Sequence, residues 1–204
     1  MKKALLPLTL IILLSLTGCS KTKLEQGESF VTFKKDSVSV ACSLSGKDAK
    51  SEYGIRIKDN SKDIKEDLVD YFSDIFDADI KITEFKKGKD FINFTYEIED
   101  AEDLGYYDET TLEDYADDLR YDDVEELAEE IEFITYDKEK SVDSDDIDKY
   151  EDDFVQYVTG GDKGMYYKTQ NKILLVTEKL KYEKISNDTI YIKRNSSGII
   201  VYKK

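Results

Sequence analysis

Residues 30–42 read FVTFKKDSVSVAC, which places two apolar stretches on either side of a polar turn at residues 34–37. In the second stretch Val38, Val40 and Cys42 alternate with small residues. A period of two is typical of a strand with one buried face. We therefore expect two strands joined by a turn, with Cys42 buried among the apolar side chains.

The segment that follows predicts further strands and one helix. Tyr53, Ile55 and Ile57 alternate and predict a third strand. Asn60 is a favourable cap for a helix from about Ser61. The apolar residues of that helix return at steps of three and four: Ile64, Leu68, Tyr71, Phe72, Ile75 and Phe76. Alternation then resumes, and a turn at residues 86–89 predicts a hairpin whose strands carry Ile80, Ile82, Ile92, Phe94, Tyr96 and Ile98.

Three helices are predicted in the middle of the chain, in an insert at about residues 108–160. The apolar residues fall on two helical faces that are offset from each other by one residue, which indicates two helices rather than one. The first face contains Leu112, Tyr115, Ala116 and Leu119, and the second contains Val124, Leu127, Ala128 and Ile131. Thr110 with Glu113, and Asp122 with Glu125, have capping-box spacing at the two starts. The third helix would carry Ile147, Tyr150, Phe154, Tyr157 and Val158 and end at Gly160 and Gly161.

The C-terminal part consists of five short apolar segments separated by turn residues. They are residues 165–168, 173–177, 180–183, 189–193 and 199–202. This pattern predicts an antiparallel β-meander. The whole sequence therefore predicts an α+β fold, with antiparallel β-sheet elements, one packed helix, an acidic helical insert and the meander, as a single domain over residues 30–204. The pattern leaves open whether the strands form one sheet or two.

Charge is distributed very unevenly along the sequence. Residues 97–153 hold 27 acids and 4 bases, a formal charge of −23. Residues 154–204 hold 4 acids and 10 bases, a charge of +6. Such an acidic chain opposes nucleic-acid binding, because nucleic acid is itself a polyanion. We expect the acidic helices to be either a solubilising surface or the docking face for a basic protein partner or cations.

The N-terminus has the features of a secretory signal. Lys2 and Lys3 precede an apolar run from Ala4 to Leu16, which is too short for a membrane-spanning helix. The run ends in Leu16-Thr17-Gly18-Cys19, which resembles the lipobox of bacterial lipoproteins. This resemblance covers residues 1–19 only. It implies cleavage before Cys19, a diacylglyceryl group on that cysteine, and attachment to the cell membrane on the side facing out of the cytoplasm. Residues 1–18 are then the signal peptide and residues 19–29 a polar tether.

Several kinds of chemistry are excluded by composition. The chain has no histidine, which removes histidine-based triads and histidine metal ligands. It has two cysteines, so with Cys19 lipidated Cys42 is left without a disulfide partner. We expect no cofactor and no catalytic residue that the sequence can identify.

A loop rich in aspartate is the one candidate metal site. Asp143, Asp145, Asp146 and Asp148 could offer oxygen ligands to calcium, but Ile147 and Phe154 occupy positions where an EF-hand loop needs ligands. We therefore expect a solvated acidic loop. Tyr106-Tyr107 and Tyr166-Tyr167 are candidate contact residues, because adjacent strand residues point to opposite faces and one of each pair can be exposed.

Two classes of function fit these observations. The first is a non-catalytic binding or adaptor module, tethered to the membrane, whose partner is a protein, a wall polymer or a cation. The second is an envelope hydrolase that uses paired carboxylates. The absence of nucleophile and metal motifs favours the binding module.

Overall fold

The computed structural model describes residues 24–34, 37–99 and 110–204 and has an α+β fold. The strands are β1 Ser29–Phe33, β2 Ser37–Ser45, β3 Ile80–Lys87, β4 Phe91–Glu99, β5 Phe133–Thr135, β6 Phe154–Thr159, β7 Met165–Lys168, β8 Ile173–Thr177, β9 Tyr182–Lys184, β10 Thr189–Ile192 and β11 Ser197–Tyr202. The α-helices are α1 Gly46–Tyr53, α2 Ser61–Phe76, α3 Leu112–Asp118 and α4 Val124–Glu130, and a 3₁₀ helix spans Ser144–Tyr150. None of the helices in the described residues is long and apolar enough to cross a membrane.

The strands form two sheets. The larger has seven strands in the order β3-β4-β2-β1-β7-β10-β9, and the smaller has four in the order β5-β8-β11-β6. The strands of each sheet pair antiparallel, apart from β1 and β7, which pair parallel with Ser29 opposite Met165. This parallel pair joins the N-terminal and C-terminal halves of the chain in one sheet.

The predicted β1/β2 hairpin is confirmed. Val40 lies opposite Val31, and Val38 opposite Phe33, so both strands present one apolar face to the core. Cys42 lies on that face, 8% exposed and unpaired. The first described tether residues already contact the domain, because the Gly27 N–H donates to the Ser43 carbonyl over 2.6 Å.

The predicted strand at Tyr53, Ile55 and Ile57 is wrong. Ser45 instead caps helix α1 by accepting from the Asp48 N–H, and Gly54 ends the helix at a φ of 70°. That left-handed conformation suits glycine, because it has no side chain to clash. Ile55 then packs into the core as a single buried residue. Three alternating residues were too few to distinguish a strand from a helix end.

Helix α2 forms as predicted. The Asn60 side chain accepts from the N–H groups of Lys62 and Asp63, which satisfies two of the free donors at the helix start. Ile64, Leu68 and Phe72 repeat every four residues and are buried against the larger sheet. The β3/β4 hairpin beside this helix is also confirmed, with Phe85 opposite Phe94.

Helices α3 and α4 of the acidic insert form as predicted, each with its cap one residue later than expected. Thr111 caps α3 by accepting from Asp114 N–H, and Asp123 caps α4 by accepting from Glu126 N–H. The predicted third helix is wrong. Its first part is the 3₁₀ helix, which ends at Tyr150, and its second part is strand β6, which begins at Phe154.

A helix was predicted where β6 forms because β6 belongs to the smaller sheet, which is covered on both faces. Such strands read as continuous apolar runs instead of alternating ones. In β6 the neighbours Phe154 and Val155 are both buried, and so are Ile199, Ile200 and Val201 of β11. One face of this sheet joins the core of the larger sheet and α2, and the other packs against Leu112, Ala116, Val124, Leu127 and Ile147 of the acidic insert.

The five C-terminal strands lie at the predicted segments and pair antiparallel, but their pairing does not follow chain order. Strands β7, β9 and β10 belong to the larger sheet, whereas β8 and β11 belong to the smaller one. The chain therefore crosses repeatedly between the two sheets and does not form a simple meander. These crossings hold the sheets together as one packed unit.

Burial of Cys42 leads to a testable prediction about its reactivity. Burial raises the pKa of its thiol to about 11, while a hydrogen bond with Ser29 opposes the shift. Because the thiolate is the reactive form, the native protein should react with a thiol reagent far more slowly than the unfolded protein. Absorbance assays with and without denaturant measure the ratio. Equal rates would contradict the position of Cys42 on the core face.

Candidate functional site

The lipidation candidate Cys19 lies outside the described residues, as does the pair Tyr106-Tyr107. The other tyrosine pair points to opposite faces as expected, although Tyr166 is half-buried and not exposed. Tyr167 is buried, and Tyr166 lies on the opposite face of the larger sheet, where it stacks on Phe30 with ring centroids 5.7 Å apart. Tyr166 and Phe30 form a directly opposed cross-strand pair, so their contact also stabilises the sheet.

The acidic insert presents its carboxylates to solvent. In α3 the apolar residues Leu112 and Ala116 face the smaller sheet, and Glu113, Asp114 and Asp117 are exposed. In α4 Val124 and Leu127 are buried in the same way. The periodicity that places these apolar residues inside leaves the acidic ones exposed to solvent.

Seven carboxylates surround one cavity on this face, which we call the acidic pocket. It has a volume of about 250 Å³ and is lined by Glu113, Asp117, Asp122, Asp123, Val124, Glu125, Asp148 and Glu151. Helices α3 and α4 supply the first part of this lining. The 3₁₀ helix packs against α4 and adds Asp148 from a different part of the chain.

Repulsion within the acidic pocket alters the ionisation of Glu125. The negative charge of Asp148 is the main cause, with smaller contributions from burial and from Asp123 and Asp145, and together they raise the pKa of Glu125. A proton on Glu125 also allows a hydrogen bond with Asp148. The pocket therefore favours a positive species, either a proton or a cationic group of a ligand.

The aspartates predicted as weak calcium candidates do not converge. Asp143 precedes the 3₁₀ helix, Asp145 and Asp146 lie in its first turn, and of the four only Asp148 lines the acidic pocket. Asp146 is paired with Lys149 at 3.2 Å. Within the described ranges no group of three or more candidate ligands is placed to hold a metal ion.

A second cavity lies on the other side of α3, and we call it the tyrosine groove. It has a volume of about 370 Å³ and is lined by Tyr115, Glu130, Ile131, Glu132, Tyr157, Thr177, Lys179, Ser197, Gly198 and Ile199. Tyr157 is 56% exposed and contributes a large aromatic side chain to this groove. The sequence did not identify Tyr157 as a contact residue, because its segment was predicted to be helical.

Neutralising Glu125 should stabilise the domain. A carboxyl whose pKa is raised on folding contributes most to stability below its unfolded pKa, and the contribution is lost as pH rises through the folded pKa. The Glu125→Gln variant should therefore have a higher melting temperature at neutral pH and low salt, and the gain should shrink as salt screens the pocket. Glu129→Gln, an exposed change on the same helix, is the matched control. Equal shifts for both variants would contradict specific repulsion in the pocket.

Salt should also stabilise the unmodified domain. Surface repulsion is screened over about 8 Å at physiological ionic strength, so the melting temperature should rise between low and moderate salt. A melting temperature that stays constant over this range would mean that the acidic charges are already compensated.

Comparison with models of protein families, with curated proteins and with solved structures finds no match to this chain.

Proposed function

We propose that the chain is a bacterial lipoprotein held in the cell membrane by lipid on Cys19, outside the cytoplasm, and that its mature domain is a non-catalytic binding or adaptor module. Its partner is a basic protein segment that docks on the acidic insert. The convergence of seven carboxylates on the acidic pocket carries the proposal. Amino and guanidinium groups are the protein cations that such a surface attracts.

Two further features support docking at the insert. The short helices α3 and α4 are each capped and packed on the smaller sheet, so they hold the carboxylates on a fixed frame. The tyrosine groove on the other side of α3 adds apolar contact area, and tyrosine is enriched where proteins bind each other. A partner that crosses α3 could therefore combine basic and apolar contacts.

A lysine-rich peptide is a suitable probe for the acidic pocket. The domain should bind it with an affinity that falls as salt rises, because the attraction is between exposed charges. The triple variant Asp117→Asn, Asp122→Asn and Glu125→Gln should weaken binding several-fold. Removing three exposed acids from α2, with Glu66→Gln, Asp67→Asn and Asp70→Asn, gives the same change in net charge. Equal loss in both variants would mean that net charge, and not the pocket, attracts the peptide.

The alternative proposal is an envelope hydrolase that uses paired carboxylates, and the raised pKa of Glu125 beside Asp148 is the observation that favours it. This activity would require both Glu125 and Asp148. Replacing either should then abolish turnover of a glycoside substrate and leave peptide binding nearly unchanged. If the domain is a binding module, the same replacements should weaken peptide binding and leave turnover unchanged.

A further inference from the structure

One end of the larger sheet, which we call the anchor end, collects the start of the described chain and several exposed basic residues. Gln26 lines a cavity of about 410 Å³ together with Lys47 and Lys89. The side chain of Lys163 lies across Gly27, since a Cβ atom at Gly27 would be 3.1 Å from the Cγ atom of Lys163. The chain therefore leaves the domain toward Cys19 between three lysines that come from separate loops.

Strand register places these loops at the same end. Ser29 at the start of β1 lies opposite Met165, next to the loop that holds Lys163. The last residue of β2, Ser45, lies opposite Phe91, next to the β3/β4 turn that holds Lys89. Arg194 is also exposed in the loop beside Gly161. The exposed acids next to these loops include Glu25, Asp90 and Asp162.

The acidic pocket lies at a distance from the anchor end. Strand β6 connects the two regions: its first residue, Phe154, bridges to Thr111 at the start of α3, and its last residue, Thr159, leads into the loop at Gly160. Six strand residues span about 20 Å. The acidic pocket therefore lies at the end of β6 opposite the anchor end, whereas Glu130 and Glu132 after the middle of α4 extend back toward Ser197, which pairs with Thr159.

The length of the tether limits how the domain can sit on a membrane. Eight residue steps from Cys19 to Gly27 reach at most about 28 Å. The nine residues of β2 alone span about 30 Å. The tether joins the domain at the anchor end, so a lipid on Cys19 restrains this end most directly.

We propose that the anchor end rests on the membrane, where Lys47, Lys89 and Lys163 contact the headgroups of anionic phospholipids and turn the acidic insert outward. This inference rests on the proposed lipid anchor. Each lysine near an anionic surface strengthens the attraction about fivefold at most. The same surface repels the acidic pocket at the far end of β6, which favours the same orientation.

Energy transfer from the lipidated full-length protein to a headgroup dye in vesicles tests this orientation. A donor is attached at Ser51→Cys, one turn after Lys47 on α1, or at Asn187→Cys at the opposite end of β10, because both residues are exposed and uncharged. Cys42 is buried and stays unlabelled. On vesicles that contain phosphatidylglycerol, transfer should be stronger from position 51 than from position 187.

A lysine variant separates the role of charge from that of the tether. Lys47→Gln, Lys89→Gln and Lys163→Gln together should reduce the difference between the two positions on phosphatidylglycerol vesicles but not on neutral phosphatidylcholine vesicles. Lys81→Gln, Lys138→Gln and Lys140→Gln remove the same charge elsewhere, two of them within the insert, and should not reduce the difference. The headgroup contact is wrong if the protein binds vesicles but transfers energy equally from both positions. It is also wrong if the first variant has no effect, and neither outcome contradicts the lipid anchor. Protein that does not float with vesicles overturns the lipid anchor as well.

Discussion

Replacing Cys19 with alanine is expected to remove the protein from the membrane fraction. The substitution deletes the sulfur atom to which the diacylglyceryl group would be attached. One acyl chain gives only marginal membrane binding and two give stable anchoring, so loss of both chains should reduce the bound fraction to background. Cell fractionation followed by immunoblotting measures the loss, and mass spectrometry of the wild-type N-terminus identifies the lipid.

Cys42→Ala is the matched control for this experiment. It removes the other cysteine, which is buried in the domain, and should leave the protein in the membrane. Wild-type protein that stays in the membrane fraction with an unmodified Cys19 would rule out the lipid anchor. Equal release of both variants would instead indicate that the protein no longer folds. Cys42 is buried in the domain, so its replacement can affect membrane binding only by disturbing the fold.

Elements with one buried and one exposed face were among those that the sequence predicted correctly. Strand β2 alternates because α2 covers one face of the larger sheet, and α2 has a single apolar stripe for the same reason. Strand β6 is buried on both faces in its first half, so its periodicity resembled a helix. The parallel pair of β1 and β7 joins residues far apart in sequence, and no local pattern indicates it.

The candidate site was predictable to a similar extent. The acidic faces of α3 and α4 follow from apolar periodicity, because each buried position fixes which neighbours are exposed. The pocket also needs Asp148, which reaches it only because the 3₁₀ helix packs on α4. That contact depends on tertiary structure. The exposure of Tyr157 likewise depends on the strand direction of β6, which the sequence did not reveal.

The largest loss of stability is expected from Phe72→Ala in helix α2. Phe72 is 6% exposed and joins the helix to the larger sheet, where its ring stacks on Tyr96 at 4.3 Å and lies 6.0 Å from the ring of Phe94. Truncation leaves a cavity between rigid neighbours and should cost about 3–5 kcal/mol. This is a large part of the roughly 5–15 kcal/mol by which domains are stable.

Ile75→Ala provides the control, since Ile75 lies on the same helix but is 49% exposed. Its cost should stay within about 0.5 kcal/mol, because the side chain loses little buried area and alanine favours helix. Urea unfolding of the domain without its lipid measures the free energy of unfolding of both variants. If each variant still unfolds in one step, the slope of this free energy against urea concentration should be unchanged. Similar losses for both would mean that α2 packs on the sheet through a different face. If Phe72→Ala lowers the free energy of unfolding only slightly, the aromatic side chains around Tyr96 must close over the cavity. The stability of the N-terminal half would then depend on the strands more than on the helix.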